Sequence, residues 1–223
     1  MTSVALVLFS LGLVSAEPEY VDRLNNAAAV LREIMDTPDQ AIPQELLDRS
    51  ECVVIVPGVK KVAFIVGARY GKGYMSCRNK NGPGWTAPGT VRIEGGSFGF
   101  QIGGSETDAV LLVMNRRGAD RLLSSKFTLG AGASVAAGPV GRATKAETDA
   151  FLTAQILSWS RSRGVFAGVS LQGATLRQDL DDNRELYGKT LTNREIIRKK
   201  TPVPAPAKEL VSLLNKYSSR KSR

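Results

Sequence analysis

Histidine is absent from all 223 residues. That removes the commonest general base, the commonest metal ligand and the Ser-His and Cys-His nucleophile pairs together. Phosphate-binding loops are missing as well. GARYGKG (67–73) lacks the GxxxxGK[ST] spacing, and GFQIGG (99–104) does not open a helix. Ser170, in GVSLQG, has no histidine to activate it. The acidic run from Gln178 to Glu185 has Arg184 where a calcium loop needs glycine and Thr190 where it needs glutamate, so it reads as the start of a helix. No catalytic residue, metal site or cofactor is expected, and the chain reads as a non-enzymatic protein.

What is present is unevenly charged. Lys and Arg total 30 against 21 Asp and Glu, a net of +9. From Lys189 to Arg223 ten basic residues face only Glu195 and Glu209, so this segment holds nearly all the excess and the rest is close to neutral. A basic end of this kind attracts anionic surfaces or serves solubility. The first sixteen residues are uncharged and mostly apolar, closing on Val14, Ser15 and Ala16. They read as a signal peptide cleaved near Ala16, giving an exported protein, periplasmic or secreted, with peripheral membrane association. No later apolar run is long enough to span a bilayer. The expected organisation is a signal peptide (1–16), an N-terminal helical segment (17–50), a domain (51–189) and a flexible basic, proline-containing tail (190–223).

Apolar residues from Tyr20 to Met35 recur at helical spacing, and Pro43 opens a short second helix. The first stripe packs on the domain core or lies in a lipid interface. From Cys52 the period becomes that of strands. CVVIVPG, VAFIVGARY and GYMSCR predict an up-down-up meander. That path puts Cys52 and Cys77 at distant ends, against a bridge between them. TVRIEGG, SFGFQIGG, DAVLLVMN, FTLGAGASVAAG, Ala154–Ser160 and VFAGVSLQG are further strand candidates; 117–125 and 178–187 are short helices. The fold class is α+β: a curved, mostly antiparallel sheet, barrel- or sandwich-like, with an N-terminal amphipathic helix and short flanking helices.

Lys60, Lys61, Arg69 and Lys72 cluster about two predicted turns of that meander. Arg116 with Arg117 and Arg161 with Arg163 are further basic pairs. Each set is either a lipid-phosphate contact or a solvated strand end. Trp85, on a Gly-Pro loop, is either an interfacial anchor or a plug at the core edge.

Several motifs occur together in one order: Ile42-Pro43, VVIVP (53–57), Gly67, Gly71-Lys72-Gly73, Trp85, Gly99-x-Gln101-Ile102-Gly103, GPVGR (138–142), Gly164, Phe166, Gly168, Ser170-Leu171, Asn183 and Tyr187-Gly188. Over residues 42–189 this order resembles the SYLF domain, or Ysc84 family. The resemblance implies binding of phosphoinositide-like anionic head groups through basic residues and the N-terminal helix. It also implies actin binding, by the precedent of the member that named the family. The expected partner is an anionic membrane surface, or an actin-like or envelope protein, and not nucleic acid.

Overall fold

The run Cys52–Val56 is apolar at every position, as in a strand covered on both faces. In the computed structural model it opens β1 (Cys52–Ala63), which lies mid-sheet. The structure describes residues 17–37, 42–63, 66–80, 82–98, 103–131, 133–140, 153–162, 164–169 and 171–219. The expected signal peptide, Arg163, Ser170 and the motif residues at 99, 101, 102, 141 and 142 lie outside them.

β1 pairs antiparallel with β2 (Val66–Cys77) on one side and β4 (Gly103–Val113) on the other. Beyond β2 come β3 (Gly89–Phe98), β9 (Thr175–Gln178) and β5 (Lys126–Thr128). Beyond β4 lies β7 (Ile156–Ser162). The outer edge of β7 takes β6 (Val135–Ala137), in parallel, and β8 (Val165–Gly168), antiparallel. The result is a strongly curled, mostly antiparallel sheet in an α+β fold, as the sequence predicts.

Six described helices serve this sheet: α1 (Glu19–Asp36), α2 (Gln44–Arg49), α3 (Arg116–Leu122), α4 (Leu180–Tyr187), α5 (Asn193–Arg198) and α6 (Lys208–Tyr217). Alternate residues of β1 enter different cores. Val53 and Ile55 join α1, α2 and α6. Cys52, Val54 and Val56 join α3 and α5 on the other face. The apolar stripe of α1 is spent on the first core: Leu24, Leu31 and Ile34 are fully buried.

The expected meander is instead one long hairpin. Pro57-Gly58 does not turn the chain. It makes a bulge with one extra residue in β1, between Ile55 and Lys60 against β2. Gly58 supplies the positive φ of 60°. Gly73 lets β2 close on the strand beside the bulge: a Cβ there would lie 2.1 Å from the Ile55 carbonyl oxygen. Gly73→Ala should therefore destabilise the protein by about 2 kcal/mol or more, read from the urea midpoint. An unchanged midpoint would contradict this packing. Because the hairpin runs straight from Cys52 to Cys77, the two are directly opposed in register and form a disulfide. This corrects the expectation of distant cysteines.

The segment after Lys189, expected to trail as a flexible tail, is docked up to Ser218. A capping box of Thr192 and Glu195 starts α5. The proline-rich stretch ends in a 3-10 turn (Ala205–Ala207), which delivers α6 onto α1. Leu210, Leu213 and Leu214, at helical spacing, are buried there. An apolar stripe of this kind gains more from burial than from solvation.

Candidate functional site

The bulge decides what the first site contains. By adding one residue it turns Lys60 to the α1 side of the sheet, beside Tyr70 and Glu106 in register. Lys72 and Asp108 share that face. With the polar stripe of α1 (Glu19, Asp22, Asn26 and Glu33) they line a cleft of about 720 Å³.

Most cations in this cleft are committed to internal pairs. Arg23, nearly buried, holds Glu19 at 2.6 Å and also pairs with Asp182. Lys72 Nζ lies 2.7 Å from Asp182 and 3.3 Å from Asp179. Arg161 Nε lies 2.5 Å from Asp108, and Arg161 also pairs with Glu33. Burial alone would lower the Lys72 ammonium, but the hydrogen bond and charge of Asp182, with Asp179, outweigh it and hold it above its ordinary value. Burial pushes the Tyr74 phenol well above its usual range. The Arg23 hydrogen bond draws Glu19 down. Lys72 and Glu19 are thereby held in their charged forms and Tyr74 in its neutral form, an arrangement of structural charge pairs.

The predicted cluster of four cations is divided by the sheet. Lys60 and Lys72 face α1, whereas Lys61 and Arg69, opposed in register, project from the other face. Strand alternation separates them once the segment is a hairpin.

The second site lies on the opposite face, where α3 and α5 pack side by side on the second core. Asn115 caps α3, its side chain accepting from Gly118 N at 2.8 Å. Arg116, Arg117 and Arg121 are exposed on α3; Arg194, Lys199 and Lys200 are exposed on α5 and the turn after it. Arg198 pairs with Asp120 and ties the helices together. In these two segments seven cationic side chains face two carboxylates, Asp120 and Glu195, and both carboxylates are engaged locally. A wide depression beside α3 is lined by Arg117, Arg121, Ser124 and Lys126. A narrow opening of about 30 Å³ between Lys80, Arg116 and Arg198 leads to the disulfide. Arg116 and Arg117 were legible in the sequence. Arg121 and α5 were not picked out, although the T-x-x-E of Thr192 to Glu195 signals a helix start.

Lys199 first, and the Thr192 cap next, draw the Glu195 carboxyl from an ordinary 4.5 down to about 2. A depressed carboxyl contributes stability that is fully present above its unfolded value and is lost as pH falls toward the folded one. For Glu195 that window runs from 4.5 down to about 2. An NMR titration of its side-chain carboxyl should show a midpoint near 2, and one near 4.5 would contradict the cap.

Among the described residues no group of acidic or cysteine side chains is arranged to hold a metal ion. No described helix is long and apolar enough to cross a membrane. Residues 94–217, from β3 through α6, match the family model described as Ysc84, Las17-binding protein actin regulator. The chain belongs to the Ysc84 family. It is 32% identical over 200 residues to SH3 domain-containing YSC84-like protein 1 of Homo sapiens, covering 87% of this chain and 58% of that protein. It is 34% identical over 197 residues to Protein YSC84 of Saccharomyces cerevisiae, covering 84% and 42%. SH3 domain-containing protein PJ696.02 of Schizosaccharomyces pombe is 35% identical over 180 residues, covering 79% and 41%. The chain thus spans less than two thirds of each of these Ysc84 relatives. The family match reaches into α6, so the docked C-terminal helix belongs to the Ysc84 region itself.

Proposed function

We propose that this chain is a non-enzymatic docking module that uses its α3–α5 face to bind an acidic protein surface, with actin or an actin-like protein as the partner kind. The observation that carries this reading is the charge of that face, seven cations against two engaged carboxylates. Complementary charge raises encounter rate and fixes orientation. The α1 cleft is the weaker candidate because Arg23, Lys72 and Arg161 are bound to internal carboxylates. The family's description as an actin regulator supports a protein partner.

A second reading has the same face contact anionic phospholipid, with lipid phosphate in the depression between Arg117, Arg121 and Lys126. Each cation near an anionic membrane contributes about 1 kcal/mol. Co-sedimentation of the full chain with actin filaments, and separately with phosphatidylserine vesicles, decides between them. The protein reading predicts pelleting with filaments. Pelleting with vesicles alone would replace it by the lipid reading, and pelleting with neither would reject both.

A buried cross-strand disulfide suits an oxidising compartment. This supports export, with an actin-like or envelope protein as the partner met there. N-terminal sequencing should find a mature chain beginning near Glu17 in the exported fraction. A cell-associated chain that keeps residues 1–16 would overturn the export reading.

A further inference from the structure

We propose that the Cys52–Cys77 disulfide is a redox-sensitive lock on the last turn of α6. The two cysteines border the groups that hold that turn. Cys52 follows Ser50 and Glu51; Cys77 precedes Arg78. Across the staple, Arg78 N donates to the Glu51 carbonyl at 2.8 Å and Arg78 Nε to the Ser50 carbonyl at 3.2 Å. The guanidinium then reaches the end of α6, donating to the Ser218 carbonyl at 2.6 Å and its hydroxyl at 2.5 Å. Trp85 stacks on that guanidinium and donates to the same carbonyl at 2.8 Å. Ser218 Oγ also donates to Asp48, and Trp85 N donates to Asn215 Oδ1 at 3.2 Å, whereas Tyr217 with Asp36 and with Gln44 is exposed and weak in water. The disulfide therefore fixes the two strand ends that aim Arg78 at α6.

Both sulfurs are buried, and a reductant reaches them only when the small opening above Cys77 widens. Cys77 is the more accessible of the two, 5% exposed against 1%, and lies under the opening between Lys80, Arg116 and Arg198. Glu51 also lines this opening and Arg198 is paired with Asp120, so Lys80 and Arg116 are the cations that favour an approaching thiolate. The co-reactant is a small dithiol. Its thiolate attacks Cys77 Sγ, the S–S bond breaks, and Cys52 leaves as a thiolate that takes up a proton. The second thiolate of the reductant then attacks its own sulfur in the mixed disulfide. This releases Cys77, which is protonated in turn, and the reductant departs as a cyclic disulfide. Two electrons pass to the protein sulfurs. Two thiols repel to van der Waals distance, the strand ends part, and Arg78 loses its aim.

Hydrogen exchange on the full chain tests this, comparing oxidised protein, protein reduced with dithiothreitol, and the Cys52→Ala/Cys77→Ala variant. Thiol alkylation scores the reduction. The expected result is exchange of the Leu214–Ser219 amides about tenfold faster in the reduced protein and the variant, with the β4–β7 ladder unchanged. Three results would overturn the proposal: no alkylation under native conditions, unchanged exchange at 214–219 after complete reduction, or loss of protection throughout. The last would make the bridge a staple of the whole fold. If the variant fails to fold, reduced wild-type protein still decides.

Discussion

Arg78→Met should lower the stability of the protein by about 2 kcal/mol or more, because it removes buried donors from the Leu47, Ser50 and Ser218 carbonyls and leaves Leu47 and Ser218 only their Ser50 and Trp85 donors. Arg78 is 8% exposed and donates to Leu47, Ser50 and Ser218. Those acceptors are the C-terminal ends of α2 and α6, where helices leave carbonyls unpaired and carry partial negative charge. One cation thus closes two helix ends that are remote in sequence. Arg78→Lys keeps the charge but not the planar fork, and should lose an intermediate amount. The check is the urea midpoint and slope by circular dichroism. A loss below about 1 kcal/mol for Met would show that water replaces the guanidinium without cost.

Ending the chain at Lys200 should prevent folding. Leu210, Val211, Leu213 and Leu214 are all buried against α1 and the first core. Each such side chain contributes about 1.5–3 kcal/mol on burial, an upper estimate, so their joint loss is of the order of a domain's whole stability. Uncovering α1 also leaves an apolar face open to association. The truncated protein should give a disordered amide NMR spectrum or aggregate. A dispersed spectrum matching residues 17–200 of the full chain would show that α6 is an accessory.

Local patterns in the sequence were sufficient for much of the fold. The α1 stripe carries a helical period and the CVVIV run is apolar without a break, and burial confirms both. The KELVSLLNKY spacing identified α6 as a helix but did not reveal that it had a partner. Pro57-Gly58 looks the same in a turn and in a bulge, and register with β2 and β4 settles which. That single ambiguity hid both the disulfide and the face on which Lys60 lies. The site was less legible because charge pairs join distant residues. Lys72 meets Asp182 across 110 positions, and Arg161 meets Asp108 across 53. Neither carboxylate was visible as a partner in a reading of neighbours. Arg116 and Arg117 could be found because they adjoin in the sequence as a basic pair.

The most direct test of α3–α5 as the docking face compares two charge reversals in the full chain. One is Arg116→Glu/Arg117→Glu/Arg121→Glu; the other is Lys60→Glu/Lys61→Glu/Arg69→Glu on the β1–β2 hairpin. Both change charge equally at exposed or half-exposed positions. Affinity for actin filaments is measured by sedimentation at fixed ionic strength. The α3 variant should lose about tenfold or more in affinity while the hairpin variant stays within about twofold of wild type. The opposite pattern, with α3 neutral and the hairpin essential, would contradict the assignment.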